Sequence, residues 1–503
     1  MKMLFVPLFI AVALIFAIFV PLEFSYKVEW FLFGLYFKVD ILSKQFLLFS
    51  TFIWFISSIY AIFSIKTRQK EFFFWFLMTF IGNFGLCVSY DAFGFYMFFS
   101  IMTFGAFGMI IHDKTHEAKK AGFTYIKYAI FGEILIFLGL INSIESYGSL
   151  SFDSFYSSSI GTFTILLLIG GFGIKAGMFF LHSWLPFAHS QAPVSASAVL
   201  SGVMLKTGVL GWMRFMPNIQ DDTAGYILII CGILGIYGGI YGITQNKIKV
   251  VLAYSSISQM GYLVVLFGLY LLNPMDQNTI IYAIMFCIFH HAINKSALFL
   301  LSGEILQNGF TKFNILLVLI PILSLIGLPL SSGMVAKEFI KSSTDIPFLI
   351  FLIGLSSFVT ALLMVRFFTL SMKITPKTNI KSLLIIVLPL VLVSILLPFT
   401  ITFDFSFDIM QVLPLFFAVV VFLYLEKKSI NIPYLPTGDM LLLFEKINIK
   451  LNIKKEFNKI EYTHDYENKR FNIFLFIEHY LQNQKVVFLI FLILIVVLSG
   501  FLL

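Results

Sequence analysis

GGFGIKAGMFFLHSWLPFAHSQAPVSASAVLSGVMLKTGVLGWMRF (residues 170–215) is apolar enough to lie in a bilayer, yet it carries Lys175 and Lys206 and is broken by glycines, Pro186 and Pro193. A lysine near the bilayer centre costs about 3 kcal/mol on insertion scales. A second stretch, GLPLSSGMVAKEFI (327–340), places Lys337 in the same kind of proline- and glycine-interrupted setting. The two stretches stand five helices apart, and an odd offset means that they cross the membrane in opposite directions. Broken helices with intramembrane lysines in opposed halves are the sequence mark of an inverted-repeat ion-transport fold.

Composition points the same way. Of 503 residues, 59% are hydrophobic and 12% charged, which describes a polytopic membrane protein and excludes an ordinary globular enzyme. The net charge of +8 is scattered through short loops, so it reads as a topology signal and excludes nucleic-acid binding. Cys87, Cys231 and Cys287 all fall in apolar segments without ferredoxin-type or C-x-x-C spacing. With no nucleotide-phosphate loop either, the expectation is that this chain carries no cofactor and no metal. The N-terminal run MKMLFVPLFIAVALIFAIFVPL lacks a small-residue cleavage site and reads as a retained helix, not a signal peptide.

The chain is expected to be an all-α polytopic membrane protein of about fifteen transmembrane helices. Spans are drawn near 3–22, 43–65, 71–90, 92–112, 122–142, 160–181, 192–216, 224–244, 247–271, 278–303, 312–341, 346–373, 380–402, 407–426 and 485–503. They group into N-terminal helices with a surface hairpin (1–70), a first five-helix repeat (71–216) and a second, inverted one (224–373). Peripheral helices (380–426), a cytoplasmic amphipathic segment (427–484) and a C-terminal transmembrane helix (485–503) follow. The hairpin is read from SYKVEWFLFGLYFKVD (25–40), too charged for a span. The amphipathic segment is read from MLLLFEKINIKLNIKKEFNKIEY (440–462), where apolar residues interleave with lysines. Loops 66–71, 113–120, 246–249 and 373–377 are basic, whereas 143–159, 218–223, 273–278 and 402–408 are acidic or polar. Alternation of the two sets predicts an inner-membrane protein with a cytoplasmic N-terminus.

The buried charges form a series. Glu133 lies mid-helix in YIKYAIFGEILIFLGL, Lys175 and Lys206 follow on the next two helices, and His290, His291 and Lys295 share MFCIFHHAINKSALFLLSGEI (285–305). Lys337 and Glu338 end it. A lysine in low dielectric has its proton affinity lowered, a nearby carboxylate restores it, and histidine titrates near neutrality unaided. Such groups in one layer suit a horizontal proton relay. Glu133, Lys175, Lys206, His291, Lys295 and Lys337 are its expected members, and Glu338, His290 and His182 possible accessories. His291 has the better spacing to Lys295 than His290 does. His182 and His189 flank the WLP turn, where an interfacial role is the plainer reading. Lys206 lies about 15 Å along its helix from the end, too far to reach the interface easily.

At this point the residues resemble a family. Residues 170–215, KVVLAYSSISQMGYL (249–263), HAINKSALFLLSGEI (291–305) and GLPLSSGMVAKEFI (327–340) are similar to the antiporter-like membrane subunits shared by respiratory complex I, Mrp-type Na+/H+ antiporters and membrane-bound hydrogenases. The resemblance spans roughly 35–375. It implies that Lys175 is the lysine of the first broken helix and Lys206 the central lysine of the next. It likewise implies that His291 and Lys295 belong to the connecting helix and that Lys337 is the terminal lysine of the second broken helix.

Three departures mark a divergent member. The family carries a glutamate shortly after a D-x-x-x-F-Y stretch, but in DAFGFYMFFSIMTF (91–104) Ser100 stands there; Glu133 on the next helix is the candidate replacement. Lys247 replaces an acidic residue, and the chain begins one helix later than many relatives.

The resemblance implies a proton-translocating, alternatively Na+/H+, subunit of a multisubunit, redox-driven complex of NADH/quinone, hydrogenase or antiporter type. Its partners would be other membrane and peripheral subunits, lipid, and protons or Na+. No redox or hydrolytic site is expected on this chain. Two other classes compete: a non-conducting scaffold subunit of such a complex, and a stand-alone secondary transporter.

Overall fold

In lipid, backbone amides and carbonyls must be satisfied internally, so long apolar runs fold as helices. The computed structural model describes residues 3–31, 34–156, 159–273, 277–375, 382–401, 412–428, 432 and 434–437. The chain opens with α1 (Phe5–Phe19), a hairpin of β1 (Phe24–Val28) and β2 (Leu35–Val39), and α2 (Ile41–Ser64). The first half continues through α3 (Gln69–Val88), α4 (Ala92–Ile110), α5 (His116–Tyr147) and the short α6 (Phe152–Phe155). It closes with α7 (Thr162–Ala176), α8 (Trp184–Gln191), α9 (Val194–Val199) and α10 (Leu205–Phe215). The second half holds α11 (Asp222–Gly238), α12 (Ile240–Ile243), α13 (Ile248–Leu272), α14 (Gln277–Asn308), α15 (Lys312–Ile326), α16 (Ser332–Ser342) and α17 (Pro347–Met372). Then come α18 (Leu384–Leu396) and α19 (Leu413–Lys427). The expected interfacial helix at 440–462 and the last span at 485–503 lie outside the described residues.

Among the described residues nine helices are long and apolar enough to cross a membrane, and five shorter apolar helices accompany them. Local sequence sets several starts. Asp40, Asp91, Thr115, Asp221, Thr311 and Ser331 each accept a backbone N–H from the first turn of the helix that follows. Glycines let helices approach closely: a Cβ at Gly261 would lie 2.6 Å from the Gly232 carbonyl oxygen, and one at Gly82 would lie 2.3 Å from the Met102 amide. These contacts join α11 to α13 and α3 to α4. Helix α13 is buried all round and α14 along its middle, whereas α1 and α5 turn Leu8, Val12, Phe19, Phe131 and Ile134 outward. The charge-bearing α14 is therefore central and the leucine- and phenylalanine-faced helices peripheral.

Hydrogen bonds between loops define two faces. The hairpin pairs Phe24 with Val39 through Val28 with Leu35. On its face Tyr90 N donates to Tyr36 O, Ala92 N to Leu150 O, and Asp221 N to Leu271 O. Exposed Tyr26 and Trp30 lie on the hairpin, the aromatic type that sits at a membrane surface. On the opposite face Arg68 bonds the His112 carbonyl and Arg366 the Gln245 carbonyl. Helix α7 begins on the hairpin face and α15 on the opposite one.

The two helices expected to be broken are interrupted. Helix α7 stops at Ala176 because Gly177 takes φ +70°, and α15 stops at Ile326 because Gly327 takes φ +87°. Both ends have the same hydrogen-bond pattern: Met178 N donates to Gly173 O and Leu328 N to Leu323 O, while Gly177 N and Gly327 N donate to Ile174 O and Ser324 O. Three residues beyond each glycine, Phe180 (φ +73°) and Leu330 (φ +64°) also take left-handed conformations. A third irregularity is a π-helical turn over Leu200–Met204, just before Lys206, with Gly202 at its centre.

Candidate functional site

Three clusters of buried polar side chains lie along the packed helices. The first lies among α4, α5 and α7. Lys175 Nζ donates to Thr103 Oγ1 (3.0 Å) and Tyr125 Oη (3.1 Å) and sits over the rings of Phe99 and Tyr125. Glu133 Oε2 accepts from Ser100 Oγ at 2.5 Å, while Oε1 has no hydrogen-bond partner among the described residues. Lys175 and Glu133 line one small cavity of about 10 Å³ with Thr103, Tyr125 and Trp184, room for about one water. Ser100 thus has a partner in the structure: its hydroxyl is hydrogen-bonded to the carboxylate supplied by the next helix.

The second cluster lies among the π turn, α10, α13 and α14. Lys206 Nζ donates to the Ser201 carbonyl, an oxygen on the π turn. Ser201 and Ser256 hydroxyls are 2.8 Å apart, Ser256 Oγ donates to Leu252 O, and Lys295 Nζ donates to the same oxygen at 3.0 Å. Lys206 and Lys295, both fully buried, are therefore linked through two serines and two backbone carbonyls. The π turn matters here because widened helical geometry frees carbonyls from the i→i−4 ladder.

The third cluster surrounds the break between α15 and α16. His290 Nδ1 is 2.8 Å from Ser332 Oγ, which is 2.9 Å from Ser324 Oγ. Lys337 Nζ donates to Ile326 O, the last residue of α15, and to Ser357 Oγ (2.7 Å) on α17. A cavity of about 10 Å³ is lined by His290, His291, Lys337, Gln259 and Tyr262. Space is tight: a Cβ on Gly327 would lie 3.2 Å from the Lys337 ammonium, and one on Gly333 only 1.7 Å from the Ser324 carbonyl. Neither ring nitrogen of His291 or of His189 has a hydrogen-bond partner among the described residues. Unpaired buried polar atoms of this kind are uncommon and cluster at functional places.

Several placements differ from the expectations. Lys295 bonds a carbonyl of α13 instead of His291, and His290 shares the Lys337 cavity on equal terms with its neighbour. Glu338 turns away from the clusters and pairs with Lys341 at 2.7 Å near the surface. His182 lies buried in the gap between α7 and α8, its ring stacked on Phe179. Sequence reading missed the hydroxyls of Thr103, Tyr125, Ser201, Ser256, Ser332 and Ser357, since hydroxyl residues are common in membrane helices and spacing does not say which one faces a lysine. It also missed Arg214, whose guanidinium makes a two-pronged ion pair with Asp40 (2.5 and 2.7 Å) and tethers α10 to the hairpin.

A bundle of apolar helices, with glycine breaks and buried lysines, carboxylate and histidines, defines a multi-pass membrane protein with an ionisable interior. Residues 89–360, more than half the chain, match the family model for the transmembrane part of NADH:quinone oxidoreductase/Mrp antiporter subunits, and the chain belongs to that family. It is 32% identical over 252 residues to hydrogenase-4 component B of Escherichia coli (strain K12), covering 47% of this chain and 38% of that protein. It is 29% identical over 330 residues to NADH-quinone oxidoreductase subunit M of Rickettsia typhi (strain ATCC VR-144 / Wilmington), covering 60% of this chain and 65% of that one. It is 25% identical over 285 residues to a Na(+)/H(+) antiporter subunit of Alkalihalophilus pseudofirmus (strain ATCC BAA-2126 / JCM 17055 / OF4), covering 54% and 56%. The chain spans less than two thirds of the length of these curated relatives. Among solved structures, a chain of the Mrp complex from Dietzia sp. DQ12-45-1b superposes with TM-score 0.75 at 18% identity, covering 94% of this chain and 58% of that one. A chain of the archaeal membrane-bound sulfane sulfur reductase does so at TM-score 0.67 and 18% identity, covering 84% and 89%. At that identity the likeness is one of fold.

Proposed function

We propose that this chain is a proton-translocating subunit of a multisubunit, redox-driven complex in the inner membrane, with Na+/H+ exchange as the alternative ion chemistry. Protons move along the row Glu133, Lys175, Lys206, Lys295, His291 and Lys337, with His290 serving beside His291. The observation that carries this reading is the series of three buried clusters on helices packed in sequence. Glycine breaks in α7 and α15 bound it at either end, and a hydroxyl-and-carbonyl path joins Lys206 to Lys295. Each lysine is held by neutral oxygens, so its charge state responds to the next charge along the row. Between Lys175 and Lys206 the link is through packing: their helices meet closely, a Cβ on Gly208 lying 2.8 Å from the Ala176 amide.

The same reading makes residues 71–216 and 224–373 inverted repeats within about fifteen spans. The matching backbone geometry at Gly177 and Gly327 and the opposite starting faces of α7 and α15 support it. It makes the basic-loop face cytoplasmic and the hairpin face external. Relatives named as subunits of oxidoreductase, hydrogenase and antiporter systems support the expectation of partner subunits that supply the driving reaction.

Driven proton transport by the intact complex in reconstituted vesicles, read with a pH-sensitive dye, tests the proposal. Lys175→Ala and Lys337→Ala are each expected to reduce flux per turnover. Flux equal to wild type in both variants would overturn the relay and leave a scaffold.

A further inference from the structure

We propose that the chain carries a binding site for one anionic phospholipid on the face opposite the hairpin. Lys66, Arg68 and Lys70 hold the phosphate headgroup, and an acyl chain lies along the seam between α1 and α3. The proposal does not depend on the proton row. An open cavity of about 570 Å³ lies between the start of α1 (Met3, Leu4), Ile62 of α2, and the three cations where the chain turns into α3. That is the size range of a small-ligand site.

The charges around this cavity are unanswered. Lys66 and Lys70 make no hydrogen bond or ion pair among the described residues, and no carboxylate lines the cavity with them. Glu71, next in the chain, is taken by Lys114 at 2.7 Å. Arg68 is held in place by a left-handed backbone (φ +47°) and by its Nη1, which donates to the His112 carbonyl at 3.1 Å. Elsewhere on the same face the cations have partners: Lys249 bonds the Ala192 carbonyl, and Arg366 bonds Gln245 O and Asn246 Oδ1. Three like charges around one cavity repel one another, and an anion between them relieves that repulsion.

The wall toward the bilayer is apolar. Leu4, Phe5 and Leu8 of α1, Phe63 of α2 and Phe74 of α3 are all exposed. Further along, α1 and α3 touch through rings, Phe9 with Phe80 at 6.1 Å and Phe16 with Phe84 at 5.9 Å. A second cavity of about 600 Å³ opens along this seam, lined by Phe9, Val12, Ala13, Phe80 and Ile81 among others. Leu4 to Val12 is about 12 Å of helix. One acyl chain covers about half of the ~30 Å hydrocarbon core, so a chain rooted at the basic cavity reaches the lower lip of the apolar one. The headgroup belongs at the basic end, because Lys38 in the lining of the apolar cavity is already paired with Glu23 at 2.9 Å. Cations at the membrane surface beneath an apolar groove suit an anionic lipid.

The test uses the intact complex, stripped of lipid in detergent and titrated with phosphatidylglycerol while native mass spectrometry counts bound lipid. Lys66→Gln/Lys70→Gln, at two exposed positions, is expected to weaken one binding event about tenfold. Lys119→Gln/Lys120→Gln, equally exposed on the same face, is expected to leave it unchanged. Equal binding by both variants would overturn the site. Phosphatidylethanolamine of the same chain length, which carries no net charge, is expected to bind about tenfold more weakly than phosphatidylglycerol. Dihexanoyl phosphatidylglycerol, whose tails stop short of Phe9, is expected to do the same. Displacement of the lipid by glycerol phosphate or inorganic phosphate at equal concentration would make this a site for a free anion and overturn the proposal. A photoreactive residue at position 4, in the complex in its native membrane, is expected to label phospholipid. Labelling of polypeptide alone would show that a partner subunit covers the cavity, and would overturn it as well.

Discussion

Glu133 and Ser100 hold the sharpest residue-level question. A serine hydroxyl donating at 2.5 Å to a carboxylate on the neighbouring helix, inside a cavity shared with Lys175, leaves Glu133 as the carboxylate of that cavity. Glu133→Gln removes the charge and keeps the shape. It is expected to lower driven proton flux by about tenfold or more while the complex still assembles; unchanged flux would remove Glu133 from the mechanism. The double variant Ser100→Glu/Glu133→Gln moves the carboxylate one helix over, within the same cavity, and is expected to recover part of that flux. At the far end, Lys337 is held by the Ile326 carbonyl and Ser357. Lys337→Arg keeps a charge that is not given up near neutrality, so vesicle assays are expected to show it as defective as Lys337→Ala. Wild-type flux in the arginine variant would mean that Lys337 need not release its proton. Lysines, histidines and Glu133 were legible as candidates because charge in lipid is costly. Their hydroxyl partners were not, because a serine in an apolar helix is ordinary whichever way it faces.

At the scale of elements, the helix breaks and the hairpin carry the argument. Gly333 sits where any side chain would collide with the Ser324 carbonyl across the α15–α16 break. Gly333→Val is expected to lower the yield of assembled complex and its thermal midpoint far more than Gly354→Ala, at a position where a Cβ meets nothing within 4 Å. Equal midpoints would show that the break tolerates widening. The hairpin is fastened by Asp40, which caps α2 through Ser43 N and grips buried Arg214. Breaking a buried ion pair by removing one partner costs about 3–5 kcal/mol. Asp40 is partly exposed, so the expected loss for Asp40→Asn is about 2 kcal/mol, read as a lowered midpoint and faster proteolysis between residues 20 and 40. Glycine and proline marked where α7 and α15 stop. Gly202 stands inside the π turn before Lys206, but a glycine does not by itself announce a π turn; that irregularity answers to how α9 and α10 pack on α14, where a Cβ at Gly202 would lie 1.9 Å from Ser296 Oγ.

For the whole molecule, the two halves share the backbone pattern of their breaks but not the chemistry on either side. Beside Lys175 phenylalanines pack ring against ring, whereas beside Lys337 Phe339 pairs with Phe286 and shares its helix with the Glu338–Lys341 ion pair. A hydrogen-bonded series Lys206–Ser201–Ser256–Leu252–Lys295 lies between them. Ser256→Ala is expected to slow driven transport several-fold without creating a leak, and wild-type flux would show that protons bypass α13. By itself the sequence determined that this is a multi-pass helical membrane protein of the antiporter-like family, and that Glu133 and several lysines and histidines lie inside it. Hydrophobic run length, charge cost in lipid and the backbone freedom of glycine are properties of the residues themselves. Only the tertiary structure decided which hydroxyl faces which lysine and that Ser100 meets Glu133. Those outcomes depend on how helices distant in the chain are rotated and seated against one another, which side-chain packing sets and residue spacing does not encode.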